Sequence, residues 1–346
     1  MVTNRVDSSK RIAATVPIRL DISWLPGWHG PAAKDLDDEM ILCVSPNLCY
    51  DRVIIVRGFR TGEVHRAESA TALASGKGLN IARAARTLGV PLIVTGFAAG
   101  EAGRAIVRGA RDGGLSLDAV RVEGPSRVCT LIIDPGHSET VVNEPGAHVD
   151  ARAVRALRWR IGRHLRGASV VIIAGSLPPG LPDEFPASII RGAGSRPTIL
   201  DTPGEAFRLG VVARPAVAKL NRRELEATLG RALATPADIT NAAHELLEAG
   251  AGAVLVTLGA EGVVLASPDG TWRLRPPEVD RVSAIGAGDS LTAGLAAGLL
   301  HGRSLLDAVT LGAAAAASDV TTLLPGTVDM TDVAAMRARV GIERIA

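Results

Sequence analysis

The sequence predicts an α/β fold: a central, mostly parallel sheet flanked by helices, with a small β-sheet lid. Three observations lead there. From Met40 onward, short and continuously apolar β-rich runs alternate with Ala-rich helical segments, and strands without a polar face need cover on both sides. Residues 51–73 and 119–143 break that rhythm, being β-rich with no intervening helix, as a projecting lid would be. With 346 residues, 47% of them hydrophobic, the chain is long enough to bury the core that such a sheet requires.

The elements follow in order. Residues 1–39 mix charge, Pro and Gly and lack the unbroken apolar segment of a signal peptide, so they read as a poorly ordered N-terminal extension. The main domain spans 40–340. It opens with the strand "ILCVS" (41–45), followed by the first lid segment and a helix at 78–88. "LIVTGFA" (92–98) and a helix at 102–113 come next, then the second lid segment and a helix at 151–165. "SVVIIAG" (169–175), "PTILDT" (197–202), "AVAKLN" (216–221) and "AVLVTLG" (253–259) are the next apolar strands, separated by helical patterns at 183–193, 222–229 and 238–249. "GVVLAS" (262–267) precedes a final helical run at 289–301, and "GAAAAAS" reads as a tightly packed helix.

Composition narrows the possible functions. A formal charge of +2 with no sustained basic block leaves no electrostatic footprint for nucleic acid or an anionic membrane, and small partners fit better. No apolar stretch approaches the roughly 20 residues that cross a bilayer. Cys43, Cys49 and Cys129 are odd in number and lack CxxC spacing, which argues against a disulfide framework or a zinc site and for a cytoplasmic location.

"SAIGAGDS" carries the chemistry most directly. Gly286, Ala287 and Gly288 precede Asp289 at the start of a helical run. An Asp there is ordinarily a cap, but glycines beside it let several N–H donors approach an anion, so the segment reads either as a cap or as a phosphate site with a base next to it. The usual nucleotide motifs are missing: Leu291 stands at the third glycine position of GxGxxG, and the Lys of "SGKGLN" lacks the P-loop context. "HELLE" (244–248) ends in Glu where a zinc helix needs His. "GDSLT" ends in Thr292 where a nucleophile elbow needs Gly, which disfavours a Ser290 hydrolase.

Three further clusters admit two readings each. "SGKGLN" places Gly76, Lys77, Gly78 and Asn80 before a helix, either as a polar-group site or as a solvated turn. "KLNRRE" puts Lys219, Asn221 and Glu224 at a strand end and the following helix, either at a ligand site or as a cap with surface charges. Asp51 of "PNLCYDR" follows the first strand, as a site carboxylate or a turn acid.

Taken in order, "SPNLCYDR", "GEVHRAES", "SGKGLNIARAARTLG", "NEPG", "AGSLPPGLP", "KLNRRE", "TLGAEG" and "SAIGAGDS" resemble the PfkB branch of the ribokinase family of sugar kinases, particularly its 1-phosphofructokinase and tagatose-6-phosphate kinase members, over about residues 40–335. The resemblance implies a ribokinase-like three-layer fold and an ATP- and Mg²⁺-dependent hexose-phosphate kinase, with a monovalent cation such as K⁺ used by several members. It implies that Asp289 takes the proton of the attacking hydroxyl while the amides of Gly286, Ala287 and Gly288 stabilise charge on the transferred group. Lys219, Asn221 and Glu224 would lie near the triphosphate, Glu224 reaching Mg²⁺ through water, and Thr257, Gly259 and Gly262 would contact the nucleotide. Asp51, Gly76, Lys77, Gly78 and Asn80 would hold the sugar, and Arg66, Arg127 and Ser176 would meet the phosphate already on it. Fructose 1-phosphate is the expected substrate. The alternatives are tagatose 6-phosphate or fructose 6-phosphate, then an unphosphorylated sugar or nucleoside, then a non-catalytic sugar-phosphate-binding regulator. A homodimer through the lids is also implied. Ser75 and Cys129 depart from the family pattern, standing where Gly and Asn are common, and both changes touch the sugar end.

Overall fold

The computed structural model describes residues 39–135 and 138–345; the extension read at 1–39 falls, apart from Glu39, outside them. The strands are β1 (Met40–Asn47), β2 (Cys49–Ile55), β3 (Ser69–Ser75), β4 (Leu92–Ala99), β5 (Ser116–Val122), β6 (Arg127–Asp134), β7 (Ser138–Asn143), β8 (Ala168–Ala174), β9 (Thr198–Asp201), β10 (Val217–Asn221), β11 (Val254–Thr257), β12 (Val263–Ser267), β13 (Gly270–Arg275) and β14 (Gly341–Arg344). The helices are α1 (Lys77–Thr87), α2 (Gly100–Asp112), α3 (Ala151–Leu165), α4 (Phe185–Gly192), α5 (Glu205–Val212), α6 (Arg222–Leu229), α7 (Pro236–Glu248), α8 (Ala287–Leu300), α9 (Leu305–Asp319) and α10 (Met330–Arg337).

Ten strands make one sheet in the order β14-β13-β12-β11-β10-β9-β8-β1-β4-β5. Every pairing from β11 through to β5 is parallel, and β12, β13 and β14 add antiparallel strands at one edge. Strand β1 shows why both faces are covered. Ile41 and Cys43 point into the core under α1, α2, α8 and α9, Leu42 and Val44 into the core under α3, α4, α5 and α7, and all four are fully buried. The side-chain alternation of a strand divides one apolar run between two cores, and each large side chain buried contributes about 1.5–3 kcal/mol. From β1 the chain builds β4 and β5 on one side and β8 to β11 on the other. Their connections therefore diverge at β1, opening a crevice at the carboxyl ends of the strands, where ligands bind in such sheets.

Helix α8 is almost wholly buried and packs against α9 through small residues. A Cβ on Gly294 would lie 2.6 Å from Gly312 Cα, and one on Gly298 would lie 2.5 Å from Ala308 Cβ. The "GLAAG" and "GAAAAAS" runs thus bring two backbones together and fix the start of α8 against the sheet.

A second sheet, β3-β2-β6-β7, forms the lid. Its inner face buries Cys49, Val53, Cys129, Leu131 and Ile133 against Ile285, Leu323 and Leu324. The sequence boundaries need one correction here: β5, which includes residues 119–122 of the segment read as lid, pairs in parallel with β4 at the edge of the large sheet. An edge strand with partly exposed faces, as β5 has, lacks the continuous apolar run that identified the central strands. The same reason explains why β13 and the fully exposed β14 were not assigned from sequence. No helix among the described residues is long and apolar enough to cross a membrane.

Candidate active site

The carboxyl ends of β1, β8, β9 and β10 converge beneath the lid on a cleft of about 270 Å³. Asp289 lies in the first turn of α8, 7% exposed. It does not cap its own helix: its Oδ2 accepts from Asn80 Nδ2 of α1 at 2.9 Å. Asn80 is oriented by Ser75 Oγ (2.9 Å) and Arg83 Nη1 (3.1 Å), both donating to its Oδ1. Arg83 also donates to the carbonyls of Pro325 and Ala74, tying α1 to the 325–326 turn. Burial pushes the Asp289 carboxyl up to about 6, against the lowering pull of Lys77 and Lys219 and of the Asn80 hydrogen bond. A carboxylate poised near neutral pH is suited to taking a proton.

The loop before Asp289 depends on glycine. Gly286 has φ 96° and a Cβ there would lie 2.5 Å from Pro325 Cβ. Ala287 and Gly288 are the first residues of α8, where amides have no intrahelical acceptor, and Ala287 N–H makes only a long 3.4 Å turn contact with Ala284. Lys219 Nζ lies beside this turn, 3.3 Å from where a Gly288 Cβ would be. The helix terminus and ammonium together form a place for negative charge.

Asp201, at the end of β9, is a residue the sequence reading missed. It is fully buried and accepts from Lys77 Nζ at 2.6 Å, Lys219 Nζ at 2.7 Å and Thr292 Oγ1 at 3.0 Å. Burial opposes its charge, but Lys219 and Lys77 outweigh burial and hold the carboxyl well below the usual carboxylate range. Burial likewise opposes the charge on Lys77, yet Asp201, then Glu224 and Asp289, hold that ammonium above its ordinary value. One acid at a strand end thus fixes two cations from α1 and β10. The signal available in the sequence was its place at the carboxyl end of an apolar strand; its partners are remote in sequence.

Asn221 and Glu224 form a capping box at the start of α6, so the cap reading of "KLNRRE" describes the local structure. Glu224 also lines the cleft, and its Oε1 lies 3.4 Å from Lys77 Nζ. This donor set is all oxygen, as a hydrated Mg²⁺ requires. Asn221 pairs with Thr257 across β10 and β11. Beyond Thr257, Gly259 and Gly262 bracket a single 3-10 turn at φ 63° and 95°, and a Cβ on Gly262 would come within 2.0 Å of Leu274 O. A separate depression of about 350 Å³ lies past this turn, lined by Leu258 and Glu261 but by none of the residues singled out from sequence.

At the opposite wall Asp51 and Arg127 face the cleft from the lid, with Ser176 at the end of β8. Asn47, also unremarked in the sequence, organises this wall. Its Nδ2 donates to Ser176 Oγ and to Pro145 O of "NEPG", both at 3.1 Å, and its carbonyl accepts from Arg127 Nε at 3.2 Å. Gly76 lines the cleft as the N-cap of α1 at φ 95°. Gly78 packs so closely on β1 that a Cβ would fall 2.4 Å from Ser45 Cβ. Arg66 is not brought in: it is exposed on the β2–β3 connection and does not line the cleft. Ser290 is fully buried, and His244 of "HELLE" bonds Thr271 Oγ1 at 2.8 Å.

Comparison with known proteins places this geometry among relatives. The family described as "pfkB family carbohydrate kinase" matches residues 39–330. The 1-phosphofructokinase of Escherichia coli K12 is 33% identical over 310 residues, covering 88% of this chain and 98% of its own. A crystal structure described as a possible 1-phosphofructokinase from Thermotoga maritima superposes with a TM-score of 0.82 at 26% identity, covering 89% of this chain and all of that one. Phosphofructokinase-2 from Escherichia coli, in complex with potassium, gives 0.79 at 26% identity over 87% of this chain and 98% of its own.

Proposed function

The chain belongs to the pfkB family of carbohydrate kinases, ATP-dependent phosphotransferases, and we propose that it phosphorylates fructose 1-phosphate at the 6-hydroxyl to give fructose 1,6-bisphosphate. One observation carries the reading: the buried Asp289 on the body and Arg127 on the lid open onto the same cleft, a base and a guanidinium together. The naming of the Escherichia coli relative supports the choice of sugar.

In this proposal Asp289 accepts the proton of the attacking hydroxyl. Asn80 holds the carboxylate in place, and Ser75 and Arg83 hold Asn80. The amides of Gly286, Ala287 and Gly288, backed by Lys219, meet the negative charge that develops on the transferred group, so donors and base act from adjacent positions. Asp51, Lys77 and the turn at Gly76 and Gly78 position the sugar, while Arg127 and Ser176 hold its existing phosphate; a guanidinium suits that dianion because it offers several N–H donors. Use of ATP with Mg²⁺ is typical of the family; Asn221 and Glu224 would hold the hydrated cation, which supplies charge neutralisation on the phosphates. Thr257, Gly259 and Gly262 form the nucleotide wall. Asp319, a carboxylate buried at the end of α9, would supply oxygen to a monovalent cation beside the 282–286 loop. The outward lid face, with Ile54, Ile132 and the 56% exposed Val142, supports pairing of two lids in a homodimer, which would cover that apolar surface and protect the sheet edges.

The test is Mg²⁺-dependent ATP consumption against fructose 1-phosphate, fructose 6-phosphate, tagatose 6-phosphate, free fructose, ribose and adenosine. The expected result is the highest kcat/KM for fructose 1-phosphate. Preference for a free sugar or nucleoside would refute the assignment of Arg127.

A further inference from the structure

Two of the three cysteines, whose spacing in the sequence argued against a zinc site, meet in the lid. Strands β2 and β6 run parallel with Asp51 opposite Cys129, and Cys49 lies two residues before Asp51. Side chains two apart on a strand share a face, so all three project from the same side of the lid. The two sulfurs and a carboxylate oxygen lie within 4.8 Å of one another, all three residues are buried, and Cys49 Sγ already donates to Asp51 Oδ1 at 2.8 Å. They line the cleft beside Arg127.

We propose that Cys49, Asp51 and Cys129 form a binding site for a thiophilic divalent cation, Zn²⁺ or Cd²⁺, in the lid wall of the cleft, and that its occupancy excludes the sugar phosphate. Tetrahedral Zn²⁺, with bonds of about 2.3 Å to sulfur and about 2.0–2.2 Å to oxygen, needs ligand atoms roughly 3.4–3.8 Å apart. The distances among these atoms, from the 2.8 Å of Cys49 Sγ–Asp51 Oδ1 up to 4.8 Å, bracket that separation, and because all three residues line the cleft, a fourth ligand would come from it. Binding breaks both S–H bonds, forms two metal–sulfur bonds and one metal–oxygen bond, and releases two protons to solvent. Two positive charges replace two protons, so the net charge beside Arg127 is unchanged. Mg²⁺ is a hard cation and does not compete for thiolates. Cys43 is fully buried in β1 and belongs to a different core.

The experiment titrates reduced, metal-free protein with Cd²⁺ alone, following the ultraviolet thiolate-to-metal charge-transfer band and proton release in weakly buffered indicator. One equivalent should saturate the band and release two protons; Cys43→Ala should keep the band, and Cys49→Ser and Cys129→Ser should each lose it. Cys129→Asn, which places the residue common in relatives, is a second variant in case a lid serine misfolds, and circular dichroism confirms folding of each protein. No band in the wild type, or a band that survives loss of either lid thiol in a folded variant, overturns the site. Exclusion of the sugar rests on the function proposed above and is read separately: saturating Zn²⁺ should raise the apparent KM for the phosphosugar about tenfold or more, an order-of-magnitude expectation for a competitor in the same cleft, and leave that for ATP unchanged. A band without turnover of any phosphosugar would refute the function and leave the metal site standing; turnover without a band would do the reverse.

Discussion

Replacing Asp289 by Asn should make the protein more stable and nearly inactive, in opposition to the usual effect of altering a buried polar residue. The amide is nearly isosteric and its oxygen can still accept from Asn80 Nδ2, which donates at 2.9 Å in the wild type. What the substitution removes is a buried charge. Burial raises the carboxyl from its ordinary 3.8 to about 6, so at pH 8 the native state carries an ionised group that it disfavours by about 3 kcal/mol, at 1.36 kcal/mol per pH unit. The sign follows from linkage. A carboxyl with a raised folded pKa binds its proton more tightly in the native state; its stabilisation is complete below about 3.8 and is lost as pH rises through about 6. The stability difference, Asp289→Asn minus wild type, should therefore grow with pH, with about half of the 3 kcal/mol appearing between pH 5 and pH 8. Urea unfolding at several pH values measures it. In the same preparations, loss of a general base should cost about 10²–10⁴ in kcat, and the wild-type kcat/KM should show an acid limb near pH 6, rising as Asp289 ionises. A variant less stable than wild type at pH 8, or a stability difference that does not change with pH, would refute the burial argument. Retained kcat would refute the assignment of the base.

Asp201→Asn leaves Lys77 and Lys219 without their shared counter-charge and should destabilise by about 3–5 kcal/mol, the cost of stranding one side of a buried ion pair; denaturant unfolding reads it, and the wild type should lose this contribution only as pH falls well below the ordinary carboxylate range. Gly286→Ala must hold a side chain at φ 96° with Cβ 2.5 Å from Pro325, so it should cost about 1–3 kcal/mol in backbone strain; because the strain falls on the loop before Asp289, kcat should drop more than the melting temperature suggests. Arg127→Ala should lower kcat/KM for the phosphosugar by roughly 10- to 150-fold, the equivalent of about 1.5–3 kcal/mol for a hydrogen bond to a charged group, while leaving the KM for ATP unchanged; equal loss on phosphorylated and free sugars would show that Arg127 does not hold the phosphate.

The strand–helix alternation and the glycine-lined loop before Asp289 were legible in the sequence because each depends on neighbours within a few residues. Strands β1, β4 and β8 to β11 are continuous apolar runs, and helices α3 and α6 begin and end at the residues expected from their local pattern. Strands β13 and β14 were not legible, and β5 was not told apart from the lid, since a strand with a partly wet face loses the pattern that marks a buried one. The ordered motifs, from "SPNLCYDR" to "SAIGAGDS", identified the family through common descent. Tertiary structure alone decided which side chains meet. Lys77 and Lys219 reach Asp201 because α1 begins and β10 runs beside the end of β9, and no spacing records that. Arg66 falls outside the cleft although its motif placed it with Arg127. Cys49, Asp51 and Cys129 come together only through the parallel register of β2 on β6, where a shift by one residue would turn one strand's side chains to the opposite face. Local backbone preference is written in short stretches of sequence, whereas the partners of a buried charge or thiol depend on strand order and register, which the packing of the whole chain sets.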